Sequence, residues 1–444
     1  MTLTDDEIAT RRSRDDEALL DVVGVGFGPS NLGLAIAIEE YNADRDPAAR
    51  IDAAFVESQE QFGWHTGMLI PGTTMQISFL KDLATQRNVR SRYSFLNYLT
   101  ARGRLTEFIN HQTFFPTRLE FHDYLAWAAH TVEARVDYGT RAVAIREEGD
   151  HLVVETEQRG RRSALRARSV VLAGGLHPHL PAGVVESPRQ FHNHRLLDRL
   201  TRLPEPTHQR FVVVGAGQSA AEVVDHLHTT FPAAEVHGVF AKYGYSPADD
   251  SPYANRVFDP TAVDDFYVAE PAVRRQLLDY HRGTNYSCVD LPLIEELYAR
   301  EYAERVADRR RLFFRGASSV RDAEEFGDAR TGGVRVSVEH HPTRTVEELT
   351  CDAVVYATGF TPMPLDILGD LAADVIREVP GSERPAVSRD YRLRTRRPLS
   401  GPVFLQGGGT EHTHGLTSSL LSNIAIRSGE IVESIAREVG VRAA

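Results

Sequence analysis

Cysteine is nearly absent from this chain of 444 residues, which holds only Cys288 and Cys351. With no Cys-x-x-Cys pair, a disulfide framework and a dithiol redox centre are both excluded, and a reducing cytoplasm is the expected compartment. Long apolar runs are missing too. None approaches the roughly 18 residues that a membrane-spanning helix requires. The first segment, MTLTDDEIATRRSRDDEALLD, mixes acids with arginines and lacks a secretory apolar region, so residues 1–18 are expected to form a solvated tail. Excess basic charge is also lacking. Fifty Lys and Arg against 62 Asp and Glu give a formal net charge of −12, which argues against a nucleic-acid surface or an anionic membrane as partner. No metal ligand set is expected.

What is present is glycine in two particular places. DVVGVGFGPSNL (Asp21 to Leu32) and RFVVVGAGQSAAE (Arg210 to Glu222) each run from a short apolar strand through Gly-x-Gly into a helical pattern. Glycine lets the backbone turn tightly beside a pyrophosphate, and the helix behind it presents unpaired N–H groups to the charge. One such turn is a weak signal, but two in one chain point to two dinucleotides, an arrangement that passes electrons from a nicotinamide to a flavin. The fold class expected is therefore α/β, with two Rossmann-like dinucleotide-binding domains and a small, mostly helical substrate-binding region.

In the first turn Gly24, Gly26 and Gly28 precede Pro29, which takes the place of a third glycine and suits a first helical turn. Alone, this turn also admits a strand–turn–helix without a ligand. Glu57 ends the next strand, Ile51 to Val56, where an acid would grip a ribose hydroxyl. The second turn, Gly215, Gly217, Gln218 and Ser219 followed by Ala220, fits the dinucleotide pattern. Lys242 lies just past the strand Glu235 to Phe240; a contact to a 2′-phosphate and a plain surface lysine are both open readings. Prolines between Pro178 and Pro206 mark a boundary, residues 245–300 lose the βαβ rhythm, and Ser418 to Glu438 reads as one long helix.

Five further segments occur in order: MQISFLKDLATQRN (Met75 to Asn88), FFPTRLEFHDYL (Phe114 to Leu125), DDSPYANRVFDP (Asp249 to Pro260), TNYSCVD (Thr284 to Asp290) and GGGTEHTHGLTSSLLSNIAIRSGEI (Gly407 to Ile431). With the two glycine turns they resemble the bacterial and fungal N-hydroxylating flavin monooxygenases, above all the L-ornithine N5-monooxygenases of siderophore and piperazate pathways. The resemblance runs from Asp21 to about residue 440. Two features depart from related flavoproteins: Ala173-Gly-Gly175 stands where Ala-Thr-Gly is common, and Phe191-His-Asn-His194 stands where Baeyer–Villiger enzymes carry their signature.

The resemblance implies FAD at Gly24, Gly26, Gly28 and Pro29, with Glu57, Trp64, His65 and Gln76 lining its site. It implies NADPH at Gly215, Gly217, Gln218 and Ser219, with Lys242 beside them. It places the α-carboxylate of L-ornithine on Lys81, and the rest of the substrate on Asn255, Asn285 and Ser418. Taken alone, Lys81 admits a pairing with Asp82, Asn255 a turn role and Asn285 a capping role. The implied chemistry is NADPH- and O2-dependent N5-hydroxylation through a flavin C4a-hydroperoxide, with no obligate protein acid or base; L-lysine or a diamine is the alternative substrate, and a non-catalytic flavin-binding redox protein a remote one. The division expected is 19–205 with 371–444 for FAD, 206–245 with 291–370 for NADPH, and 246–290 for substrate. A homotetramer is expected by the same resemblance.

Overall fold

The computed structural model describes residues 18–204, 208–328, 331–378 and 383–443. All but the last residue of the expected tail lies outside them. Ten strands, numbered along the chain, form two parallel sheets: β1 (Val22–Val25), β2 (Ala53–Val56), β3 (Arg135–Asp137), β4 (Val170–Leu172), β5 (Gln190–His192), β6 (Arg210–Val214), β7 (Glu235–Val239), β8 (Leu312–Arg315), β9 (Ala353–Tyr356) and β10 (Val403–Leu405). The first sheet has the order β10-β4-β1-β2-β3 and the second β5-β9-β6-β7-β8, every neighbouring pair parallel. Strands such as VVGV and RFVVV are apolar at consecutive positions because both faces of each parallel sheet are covered, one by helices and the other by antiparallel strands.

Five helices frame the two units: α1 (Pro29–Asn42), α2 (Arg118–Thr131), α3 (Gln218–Thr230), α4 (Leu291–Val306) and α5 (Ile424–Ala443). Helix α1 leaves the first glycine turn and buries everything from Asn31 to Ile38, because α5 packs along it. Helix α3 leaves the second turn and packs on β7 and α4. Antiparallel strands at Arg141–Glu148, His151–Gln158 and Arg161–Ala167 attach to the first unit, and those at Ser318–Phe326, Gly333–His340 and Thr345–Cys351 to the second. Residues 246–290 carry two short helices, Ala262–Val268 and Pro271–His281, as the lost βαβ rhythm suggested. Among the described residues no helix is long and apolar enough to cross a membrane.

Two expectations need correction. Gln190–His192, inside the range 19–205 expected for the first unit, pairs with Gln190 opposite Val354 and His192 opposite Tyr356, so the second sheet draws a strand from within the proline-rich connection. The long helix expected from Ser418 starts at Ile424 instead. Leu416–Ser419 and Leu421–Asn423 are separate 3₁₀ turns, divided by Leu420, whose extended backbone (φ −100°, ψ 159°) interrupts any continuous helix.

Two polar links join the units. Arg118 of α2 donates from Nη1 and Nη2 to the two carboxylate oxygens of Glu222 of α3 at 2.8 and 2.7 Å, with side chains 13% and 3% exposed. Alongside, Gln76 Nε2 donates to Asp290 Oδ1 at 2.9 Å, and Asp290 N–H donates to Gln218 Oε1 at 2.8 Å. Replacing Glu222 by Ala strands the Arg118 guanidinium in a buried site. The variant should lose about 3–5 kcal/mol of stability, read by urea denaturation; a loss below about 1 kcal/mol would contradict a buried, mutually dependent pair.

Candidate functional site

The first cleft opens where β1 ends. Gly26 has φ +83°, a conformation that favours glycine, and a Cβ there would lie 2.6 Å from the Ala173 carbonyl oxygen. Gly24 is glycine for a packing reason, since a Cβ would fall 2.3 Å from the Phe55 ring. Gly28 differs from both: a Cβ would meet nothing within 4 Å, so the backbone before Pro29 faces open space at the α1 N-terminus. That is the cradle a phosphate requires. Glu57, 7% exposed, accepts from Phe27 N–H at 2.7 Å and from Gln59 N–H at 2.8 Å. Its carboxylate therefore braces the turn as well as facing the position where a ribose would lie in a Rossmann unit.

Trp64 lies against α2 with His65 beside it, whereas Gln76 reaches across to Asp290. The Trp64 ring stands edge-on to His65 at 4.6 Å, and the Trp64 carbonyl meets His122 Nδ1 at 3.0 Å. His65 is reached by solvent yet walled by protein; that enclosure, with Arg118 and His122 nearby, lowers its pKa to about 4. It is a neutral imidazole at physiological pH.

The second cleft, about 730 Å³, lies at the C-terminal ends of β6 and β7 and is lined by Gly215, Lys242, Ser318, Ser319, Arg321 and Tyr356, among others. A Cβ on Gly215 would fall 2.3 Å from the Ala357 carbonyl oxygen. Gln218 and Ser219 begin α3, Gly217 is its N-cap, and Gln218 is already bonded to Glu222 and Asp290. Lys242 does line this cleft, with Nζ donating to the Ser287 carbonyl at 2.6 Å.

The four expected substrate residues lie on segments that touch one another. Lys81 Nζ stands 5.8 Å from the centre of the Phe258 ring, in the same 3₁₀ turn as Asn255 (Ala254–Phe258), and this turn packs on Leu416–Ser419, which holds Ser418. Tyr286, next to Asn285, reaches Ser419 Oγ at 3.4 Å and donates to Glu411. Lys81 does not pair with Asp82, whose carboxylate is taken up by N–H groups of Ala84, Thr85 and Phe95 and by the Thr85 hydroxyl. Among the described residues the Lys81 ammonium has no carboxylate within 4 Å, and half-burial lowers its pKa although Asp259 opposes the shift. Asn255 Nδ2 donates to the Asp250 carbonyl at 2.7 Å, so its amide serves its own loop with one end. The Asn285 backbone N–H donates to the Arg282 carbonyl and closes the Arg282–Thr284 turn. The Ser418 hydroxyl is buried without a hydrogen-bond partner.

Sequence reading missed four features. Arg321 lines the second cleft from an antiparallel strand with no local signature. Glu411 sits against Tyr286 and Ser419, where burial raises its pKa. Arg427 is wholly enclosed beside Ser418. The fourth signal was available: Lys81 and Lys242 are the only lysines in the sequence, against an abundance of arginine. One lines the second cleft and the other stands half-buried among the expected substrate residues. An ammonium is a compact, strongly hydrated point charge whose pKa shifts readily, unlike guanidinium.

The family model described as L-lysine 6-monooxygenase/L-ornithine 5-monooxygenase matches residues 18–362 of the chain. An L-ornithine N(5)-oxygenase of Arthrobotrys oligospora is 37% identical over 436 residues, covering 94% of this chain and 88% of its own length. The ornithine N-hydroxylase of Kutzneria sp. 744, solved with reduced FAD, NADP+ and L-ornithine, is 45% identical with a TM-score of 0.89, covering 95% of this chain and 100% of its own. An ornithine hydroxylase from Pseudomonas aeruginosa is 32% identical with a TM-score of 0.87 over the same shares.

Lys81 has a directly measurable property. Its acetylation rate, followed by peptide mass spectrometry from about pH 7 to about pH 11, should reach half its plateau below the ordinary lysine value of 10.5. A midpoint above that value would mean that Lys81 is held by a carboxylate.

Proposed function

Because this chain belongs to the L-lysine 6-monooxygenase/L-ornithine 5-monooxygenase family, we propose that it hydroxylates the side-chain amine of L-ornithine to N5-hydroxyornithine, using FAD, NADPH and O2. The observation that carries the substrate is Lys81: a half-buried ammonium without a carboxylate partner among the described residues, in the neighbourhood of Asn255, Asn285 and Ser418. An α-amino acid brings the carboxylate that this cation lacks.

The first cleft fits FAD, which Gly26, Gly28 and the α1 N-terminus would hold, with Glu57, Trp64, His65 and Gln76 as further residues that would line its site. The second fits NADPH, held at Gly215, Gly217, Gln218 and Ser219, with Lys242 and Arg321 as cations for a 2′-phosphate. When bound, the two cofactors supply hydride transfer and oxygen activation. The protein supplies position and exclusion of water. Lys81 fixes the carboxylate end of the substrate, which sets how far the amine extends. The neutral side chain of Asn285 orients the amine without holding it protonated, so its lone pair stays available. The links through Arg118–Glu222 and Gln76–Asp290–Gln218 hold the nicotinamide unit against the flavin unit.

Hydroxylated product, measured per NADPH consumed, should be greatest with L-ornithine, lower with L-lysine and lowest with putrescine. A ligand without a carboxylate leaves Lys81 unpaired, at a cost of about 1–3 kcal/mol or roughly ten- to a hundredfold in kcat/KM. Lysine is the closer competitor, since one methylene is worth about 1–3 kcal/mol. More hydroxylamine from putrescine or lysine than from ornithine would overturn the substrate while leaving N-hydroxylation standing.

The pH profile of kcat/KM should be bell-shaped. Its acid limb rises from about pH 7 as the substrate amine loses its proton. Its alkaline limb falls as Lys81, with its pKa below the ordinary value, loses the charge that binds the carboxylate. Lys81→Arg, which stays protonated throughout, should lose affinity but abolish the alkaline limb; an unchanged alkaline limb would assign it to another group.

A further inference from the structure

We propose that Arg427 is the fixed counter-charge of the first cleft, a positioning residue that opposes the pyrophosphate of a bound dinucleotide and ties the glycine turn to the substrate segment. This rests on the reading of the first cleft as an FAD site.

Arg427 lies in the first turn of α5 and is 2% exposed. Its guanidinium donates to three neutral acceptors on three segments: Gln406 Oε1 at 3.3 Å, the Ser418 carbonyl at 2.9 Å and Ser30 Oγ at 3.3 Å. No carboxylate among the described residues lies within 4 Å of it. The nearest acid in its electrostatic surroundings, Glu430, is gripped from both oxygens by Arg389 at 2.7 and 2.9 Å. Tyr391, the other titratable neighbour, is kept protonated by burial. An enclosed cation without a counter-ion is strongly unfavourable, and evolution usually removes it or pairs it.

The missing anion has one natural place. Ser30 is the second residue of α1, so one arm of the guanidinium ends at the helix N-terminus that Gly28 leaves open. The chain of bonds continues from Gln406 Nε2 to Asn31 Oδ1 at 3.1 Å and from Asn31 Nδ2 to the Gly26 carbonyl at 2.7 Å, which fixes the turn itself. Ser418 Oγ and both amide atoms of Asn423, buried and without partners, show that this end of α5 is not complete as a protein core. A dinucleotide diphosphate supplies the charge, and through the Ser418 carbonyl its arrival also steadies the segment between substrate and cofactor.

The test compares the full-length wild type with Arg427→Met and Arg427→Lys, each stripped of flavin. Melting temperature and dissociation constants for FAD and for ADP are measured; ADP carries the diphosphate without the flavin ring. Arg427→Met should melt no lower than wild type without ligand, because it removes an unpaired buried charge. It should bind both FAD and ADP at least tenfold more weakly, with a smaller rise in melting temperature on adding FAD. Arg427→Lys should recover part of both affinities. Lower unliganded stability with unchanged affinities would make Arg427 a structural residue and overturn the proposal. A loss confined to FAD, with ADP unaffected, would overturn it too by moving the counter-charge to the flavin ring. If the Met variant does not fold, Arg427→Gln carries the same comparison. Failure of the wild type to bind FAD would refute the functional reading instead.

Discussion

The guanidinium of Arg427 and the amide of Gln406 join segments almost the whole chain apart, Ser30 with Arg427 and Asn31 with Gln406, at separations of 397 and 375 residues. The first cleft takes its shape from that closure. Strand β10 completes the sheet that β1 begins, α5 covers α1, and the segment Leu416–Ser419 is tied to the glycine turn through Arg427 only because these late residues return to the first unit. Local preference cannot build such a site, because its two walls come from opposite ends of the sequence.

A second constraint concerns alignment. Hydride transfer needs two dinucleotides face to face, and independent units connected by flexible segments would sample many arrangements. Here the helix that leaves the second turn is held at two points by the first unit, through a two-pronged ion pair and a relay of neutral amides around Asp290. Glu222, Gln218 and Asp290 thus serve geometry as much as stability. Their partners Arg118 and Gln76 fall inside segments that the sequence had set apart as distinctive.

The polar groups around the substrate locus divide the electrostatic work. Lys81 stands there with no carboxylate within 4 Å among the described residues, Arg427 holds the Ser418 carbonyl, and amides and hydroxyls occupy much of the rest. Nucleophilic nitrogen must be neutral to react, and amides orient an amine without favouring its protonated form. Glu411, with its carboxyl pKa raised by burial, is bound to Tyr286 and Ser419, and those hydroxyls restrain it.

Sequence alone determined the α/β class, the two glycine turns and most of the parallel strands, since these depend on short-range patterns: period, turn chemistry and residue type. Its ordered motifs marked the segments that carry Lys81, Asn255, Asn285 and Ser418, and it singled out Lys242, which lines the second cleft. It read no strand at Gln190–His192, counting them with the first unit, and ran α5 back through Ser418, because a three-residue strand has no period to read and a serine-rich turn can mimic an amphipathic helix. Tertiary structure alone decided that Asp82 turns to backbone amides rather than to Lys81, that Arg321 faces the second cleft, and that Arg427 is buried without an acid. Each of these depends on which distant segment lies opposite. Whether a charge is answered is a property of the space around it, and hundreds of intervening residues leave no local trace of that space.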